Sequence, residues 1–214
     1  MGHMDKLLLI DKPAGITSFD VIRILRRKLG IKKLGHAGTL DPMATGLLLV
    51  GVGEGTKELS RLLKLPKTYK AEILLGVQTD TGDITGTIVK SEKVHKVASE
   101  DIGRVLQEMV GKLELPVPAY SAIKQGGEPL YKKARRGERV DAPVRRMFVT
   151  TVTNSLIVRN AEDIKVRATF EVESGTYIRS LAEELGRRLG VPATLSALRR
   201  TKIGEYDVKN ATTV

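Results

Sequence analysis

The sequence has no cysteine and no tryptophan, three phenylalanines and three histidines. Without cysteine there is no disulfide, thiolate nucleophile, iron–sulfur cluster or cysteine-based zinc site, and a reducing cytoplasm is the expected location. No apolar run approaches the roughly 20 residues that span a bilayer, so no membrane partner is expected. Met1-Gly2-His3 reads as a cloning scar ahead of a native start at Met4. That leaves His36 and His95 as isolated imidazoles, and no metal is expected. Acidic residues are also in deficit. Against 36 lysines and arginines stand 25 aspartates and glutamates, a net charge of +11. Such a balance favours a polyanionic partner, nucleic acid first. The apolar fraction of 41% is enough for a real core.

Along the chain, the run Leu7 to Ile10 reads as a buried strand stopped by the turn Lys12-Pro13-Ala14-Gly15. A helix follows, capped by Thr17 or Ser18, with Val21, Ile22, Leu25 and Leu29 at helical spacing and Gly30 as its stop. Residues 31 to 46, rich in glycine, read as a long functional loop before a strand over Leu47 to Val52. A short helix is expected over Thr56 to Lys64, and alternation from Tyr69 to Val77 predicts a strand over Thr68 to Val77. A polar turn over 79–83 leads to a strand at Thr85 to Lys90. Ser99 is expected to cap a helix ending at Gly111, and Leu130 to Arg136 to form a basic helix. Strands over Phe148 to Val158 and Lys165 to Val172 precede a helix from Tyr177 to Leu189 and a strand near Leu195 to Tyr206. Strands broken singly by helices, with no βαβ period, indicate an α+β fold. The simplest division is one domain over 4–214, with 116–146 as a basic surface insertion.

Among the motifs, Gly51-Val52-Gly53-Glu54-Gly55-Thr56-Lys57 fits neither nucleotide-loop spacing, so these glycines read as a tight turn. Asp80 and Asp83 sit in a Thr-Asp-Thr-Gly-Asp turn that satisfies its own backbone, which is a simpler account than a magnesium site. The informative stretch is Gly35-His36-Ala37-Gly38-Thr39-Leu40-Asp41-Pro42-Met43-Ala44-Thr45-Gly46. Its glycines permit close approach to a ligand, and a single carboxylate, Asp41, stands ahead of a proline as candidate nucleophile or base.

That stretch closely resembles the catalytic loop of the TruB family of tRNA pseudouridine synthases, which isomerise uridine 55 in the T loop. Further segments agree in the family's order. Lys12-Pro13-Ala14-Gly15 resembles its Lys-Pro motif. Lys67-Thr68-Tyr69-Lys70, with Leu75-Gly76-Val77-Gln78-Thr79-Asp80-Thr81-Gly82-Asp83, is similar to its tyrosine strand and turn. Pro118-Ala119-Tyr120-Ser121-Ala122-Ile123-Lys124 resembles its middle motif, and Gly175-Thr176-Tyr177-Ile178-Arg179-Ser180-Leu181 with Leu198-Arg199-Arg200 its arginine motif and terminal strand. The match runs from residue 6 to 207. Full-length members usually continue into a C-terminal PUA domain, which is not expected here.

The resemblance implies the pseudouridine synthase fold, a mixed, largely antiparallel sheet flanked by helices with a basic RNA-binding insertion. It also implies a cofactor-free isomerase acting on the tRNA T-arm stem-loop, with no obligate protein partner and a monomer as default. Asp41 would be the covalent or electrostatic centre, since a carboxylate can attack the sugar or the ring or stabilise a cationic sugar. Arg179 would keep it ionised and oriented, with Asp83 joining their ion network, and Tyr69 would stack on the flipped base. His36 would fill the space the base vacates, Ile178 and Leu198 would wall the uracil, and Lys12 and Pro13 would support the loop. Lys124, Arg135 and Arg199 are expected on the RNA face, with Arg200 in the same basic cluster as Arg199. His95 is assigned no role. Two rival readings remain: a catalytically idle RNA-binding module, and a guide-RNA-directed synthase of the archaeal and eukaryotic branch.

Overall fold

The computed structural model describes residues 6–94, 97–160 and 163–214. Met1-Gly2-His3 and His95 lie outside the described residues. In chain order the elements are β1 (Lys6–Lys12), α1 (Ser18–Leu29), β2 (Leu34–Ala37), β3 (Thr45–Val52), a 3-10 turn (Gly53–Glu58) running into α2 (Leu59–Leu63), and β4 (Lys67–Leu75). Then come β5 (Val77–Thr79), β6 (Ile88–Ser91), α3 (Ser99–Glu108), β7 (Gly111–Pro116), β8 (Lys124–Gln125), β9 (Glu128–Pro129) and α4 (Leu130–Arg135). The chain closes with β10 (Val144–Arg159), β11 (Ile164–Val172), α5 (Ile178–Leu189), β12 (Ala193–Ile203), β13 (Tyr206–Asp207) and β14 (Thr212–Thr213).

Two compact units are distinguished. The first takes in the chain through Lys70, with Glu171–Ser174 and Leu198–Val214. Its strands run β14-β1-β3-β12-β4, and β3 is the hub. β1 pairs antiparallel along one edge of β3, from Lys6 opposite Val52 to Lys12 opposite Gly46. The other edge is shared: β2 pairs antiparallel with Leu49 to Val52, and β12 pairs parallel at Thr45 and Gly46. The loop over 38–44 therefore leaves the sheet where β2 gives way to β12.

The continuous apolar run of β3 follows from burial on both faces. Leu48, Val50 and Val52 pack with Val21, Ile22 and Leu25 of α1, while Leu47 and Leu49 pack with Leu62 of α2 and Ile203. α1 begins at a capping box, in which the Thr17 side chain accepts from the Asp20 N–H and Asp20 reaches back to Thr17. It ends at Gly30, in the left-handed conformation.

The second unit takes in Ala71–Phe170 and Gly175–Ala197. Its strands run β12-β4-β11-β10-β7. α3 and α5 pack on each other and bury Ile102, Val105 and Leu106 from one and Leu181, Ala182 and Leu185 from the other. Pairing is antiparallel between β7 and β10 and parallel between β1 and β14, so the fold is α+β with a mixed, largely antiparallel sheet flanked by helices.

Several sequence expectations are corrected. Residues 31–46 are not all loop, because Leu34–Ala37 is drawn into β2 by the free edge of β3. The strand expected over Thr68 to Val77 breaks at Gly76, which has φ +91, and restarts as β5. The strand placed at Thr85 to Lys90 begins only at Ile88, because Thr85 is held in the Asp83 turn. Ser99 is the first helical residue and not the cap, which falls on Ala98. The helix over Thr56 to Lys64 opens as a 3-10 turn. β7 is an additional strand, in which exposed Lys112 and Glu114 alternate with buried Leu113 and Leu115 over too short a run to stand out in the sequence.

Gly46 is the tightest point of this arrangement. Its φ is +105, and a Cβ there would sit 2.2 Å from the Arg200 carbonyl oxygen. Gly46→Ala combines left-handed strain with a backbone clash that no rotamer relieves, so stability should fall by about 3 kcal/mol or more. Urea unfolding followed by circular dichroism measures it; a loss under about 1 kcal/mol would mean that β3 and β12 separate freely here.

Candidate active site

The 38–44 loop carries Asp41, and its backbone is gripped on both sides of that residue. On the N-terminal side, Ser18 Oγ accepts from the Leu40 N–H at 2.9 Å and donates to the Leu40 carbonyl at 3.2 Å. On the C-terminal side, the Gly15 N–H donates to the Pro42 carbonyl at 2.8 Å. Lys12 Nζ reaches the same oxygen at 3.3 Å, as well as the Pro13 and Ile16 carbonyls at 2.8 and 2.7 Å. A turn bond from the Ala44 N–H to the Asp41 carbonyl, 3.0 Å, closes the loop on itself. The segment from Lys12 to Ser18 thus pins the peptides before and after Asp41, and the half-buried Asp41 side chain interacts electrostatically with Lys12.

Lys12 is fully buried, and burial pulls its ammonium down to about 8 despite Asp41 nearby. Pro13, whose carbonyl Lys12 holds, is exposed. Lys67 behaves like Lys12. It donates to the Leu63 and Leu65 carbonyls at the end of α2, 2.5 and 2.6 Å, and burial lowers it to about 8. Tyr69 shares its face of β4 with Lys67 and is 8% exposed. His36, on β2, is held below the ordinary imidazole range by burial and by the Arg200 charge, so it is neutral at pH 7. Its Nδ1 is buried without a hydrogen-bond partner. Leu198 is buried in the same unit.

Arg200 is the functional-looking residue that sequence reasoning misplaced. It was expected beside Arg199 on an RNA face, yet it is 1% exposed, and it donates to the carbonyls of Leu47 and Gly38. Strand alternation separates the two neighbours. Arg199 points the other way, half-buried in a two-point pair with Asp11 at 2.6 and 3.0 Å and near Thr45.

In the second unit, Arg179 opens α5 and is 5% exposed. Its guanidinium donates to the Thr81 carbonyl at 2.8 Å and the Tyr120 carbonyl at 3.0 Å, which ties the middle motif to the 79–83 turn. Asp83 is buried with its carboxylate on Thr81 and on the N–H and hydroxyl of Thr85. Thr81 is thus shared between them, its carbonyl accepting from Arg179 and its hydroxyl donating to Asp83. Burial pushes the Glu183 carboxyl upward against the opposing Arg179 charge. Ile178 is buried beside Arg179. Lys124 on β8 and Arg135 on α4 are exposed, and the Arg135 guanidinium lies 5.5 Å from the centre of the Tyr131 ring. Asp80 is spent on the Thr87 N–H, and among the described residues no cluster of histidine and carboxylate side chains forms a metal centre. Among the same residues, no helix is long and apolar enough to cross a membrane.

The α+β architecture, a mixed and largely antiparallel sheet flanked by helices, is that of the pseudouridine synthases, as comparison with known proteins shows. The chain is similar to the protein in a solved Cbf5-Nop10-Gar1 complex, with 29% identity, a TM-score of 0.71, and 97% of this chain and 52% of that one covered. An H/ACA RNP bound to a substrate RNA containing 2′-deoxyuridine matches with 27% identity and a TM-score of 0.69, over 97% of this chain and 50% of that one. Residues 26–178 match the family model described as TruB family pseudouridylate synthase (N terminal domain). The chain belongs to the TruB family. It is 46% identical over 194 residues to tRNA pseudouridine synthase B of Xanthomonas euvesicatoria, and 43% identical over 212 residues to that of Xylella fastidiosa. Those matches cover 91% and 99% of this chain but 62% and 69% of the two relatives' lengths.

The buried lysines give a pH test. Lys67 binds its proton near pH 8 when folded and at 10.5 ordinarily, so between these values the unfolded chain holds the extra proton and stability rises with pH. Below pH 8 the contribution is flat. Relative to the non-titrating Lys67→Met, the parent protein should gain on the order of 1 kcal/mol per pH unit between pH 8 and 10, read by urea unfolding. Parallel curves across that window would refute a depressed Lys67.

Proposed function

We propose that this protein converts uridine 55 in the T loop of tRNA to pseudouridine, flipping the base from its stack and using Asp41 without a cofactor. The observation that carries the reading is the double grip on the peptides flanking Asp41, which holds one carboxylate still on a glycine-permitted loop. In the reaction the N1–C1′ bond breaks, the uracil turns, and C5 joins C1′; C5 gives up its proton and N1 gains one, so composition is unchanged. One positioned carboxylate can bond to the sugar or ring, or stabilise a cationic sugar, and each route needs its negative charge.

On this reading Arg179 keeps the Asp41 carboxylate ionised and aimed, and Tyr69 stacks on the flipped base. His36, neutral and half-buried, takes the vacated place in the RNA, and Ile178 and Leu198 wall the uracil. Unstacking costs a few kcal/mol, offset by contacts from Lys124, Arg135, Arg199 and the basic 116–146 segment to the T-arm phosphates. The enzyme acts as a cytoplasmic monomer needing no protein partner. The likeness to proteins of H/ACA particles favours a second reading, guide-RNA-directed modification. Incubation of the protein alone with an unmodified tRNA transcript, followed by pseudouridine mapping, separates the two, since a guide-dependent enzyme leaves that transcript unmodified.

Asp41→Asn is nearly isosteric but removes the charge, so single-turnover rate should fall at least about a thousandfold with tRNA affinity retained. Appreciable turnover at saturating enzyme would move the catalytic role elsewhere. Arg179→Lys keeps the charge and loses the planar fork, and it should lower the saturated rate more than it weakens binding. Loss of affinity with the saturated rate intact would make Arg179 a phosphate contact instead.

A further inference from the structure

Arg200 has no part in the reaction as set out above, yet among the described residues it heads the largest fully buried side chains, at 1% exposure. Its hydrogen bonds run to three different elements. Nε donates to the Leu47 carbonyl of β3 at 2.7 Å, and Nη2 to the Gly38 carbonyl at the start of the Asp41 loop at 3.0 Å. Nη1 makes a longer contact, 3.5 Å, with the hydroxyl of Tyr69 on β4, and the guanidinium carbon stands 6.0 Å from the centre of that ring. Gly38 suits this position by its backbone: its φ is +89, a conformation that residues with a side chain rarely adopt. The next residue repeats the grip on β4, as the Thr201 hydroxyl donates to the Thr68 carbonyl at 3.2 Å.

For packing alone, an apolar side chain of similar volume would fill the space without burying a charge. The guanidinium's two Nη groups go to the Asp41 loop and to Tyr69, the two parts of the unit that the proposed reaction uses. A guanidinium spans acceptors on separate elements with one rigid plane, which an ammonium on a flexible stem does not. Accepting from Nη1 also turns the Tyr69 proton away from the guanidinium, leaving the hydroxyl to donate elsewhere.

We propose that Arg200 is a positioning residue for the reaction: its single guanidinium ties the Gly38 end of the Asp41 loop to the Tyr69 hydroxyl, holding carboxylate and phenol in one frame. The inference rests on the functional reading above and adds to it a residue that touches no substrate. The long reach of the Arg200 charge, which lowers Lys12, Lys67 and His36 alike, agrees with its central place.

The test uses the full chain with a tRNA transcript. Arg200→Lys should lower the single-turnover rate about 100-fold, the scale of a small misplacement of reacting groups, while the dissociation constant for tRNA stays within about threefold. Hydrogen exchange should quicken at the Leu40 and Ala44 amides of the loop and stay slow at Leu48 and Val50 of β3, a split that global weakening would not produce. A parent-like saturated rate, or protection lost equally in loop and core, overturns the proposal.

Should the lysine variant not fold, Tyr69→Phe decides, because it keeps the ring and removes only the hydroxyl. Nitrogen-15 spectra of the Arg200 guanidinium should then show faster exchange at Nη1 with Nη2 still protected; unchanged Nη1 exchange overturns the tether. Asp41→Asn in the same rate assay separates the two levels. Full activity of that variant defeats the functional reading, whereas an inactive Asp41→Asn beside an unaffected Arg200→Lys defeats only this inference.

Discussion

Three buried cations of the first unit, Lys12, Lys67 and Arg200, direct most of their hydrogen bonds at main-chain carbonyls. Apart from the Leu47 carbonyl of β3, which Arg200 holds, those carbonyls belong to segments that leave regular structure: the turn after β1, the Asp41 loop, the end of α2. A loop that stays out of water must find donors for its carbonyls, and the backbone of a chain that has stopped pairing cannot supply them. Long cationic side chains do so here. Their cost shows in the lowered proton affinity of both lysines, and arginine, which cannot shed its proton, carries the charge regardless.

The arrangement links stability to chemistry. Asp41 occupies a half-buried loop whose neighbouring peptides are each held by a different part of the Lys12 to Ser18 segment, so the carboxylate inherits the rigidity of β1 and α1. A catalytic group on a loop loses effectiveness steeply with small displacements, and supporting hydrogen bonds of this kind counter that. In the second unit the same logic recurs around Arg179, whose guanidinium is held by the Thr81 and Tyr120 carbonyls while Asp83 stiffens the turn below them. The turn is acidic in sequence and spends its carboxylates on its own hydroxyls and N–H groups.

Much of the first unit was legible before any coordinates. Leu47 to Val52 reads as a doubly buried strand because its apolar run is unbroken, and α1 announces itself by Thr17, its 3.6-residue spacing and Gly30. Asp41 and Tyr69, like Arg179 of the second unit, are singled out by the resemblance of their motifs to those of the TruB family. β2 was hidden because Leu34-Gly35-His36-Ala37 has weak strand propensity and is a strand only where the edge of β3 is open to it. Arg200 was hidden because a pair of adjacent arginines in a basic protein reads as surface.

The sequence by itself determined the charge, the absence of thiol chemistry, the elements with strong periodicity and the residue types at the candidate site, since these depend only on composition and on neighbours along the chain. Which arginine of Arg199-Arg200 turns inward, what the Lys12 ammonium holds and how the Asp41 loop is braced were decided by tertiary structure alone. The partners in those contacts are far apart in sequence, Arg200 from Gly38 by 162 residues and Leu40 from Ser18 by 22. No local pattern encodes a bond between a side chain and a carbonyl that only strand pairing brings within reach.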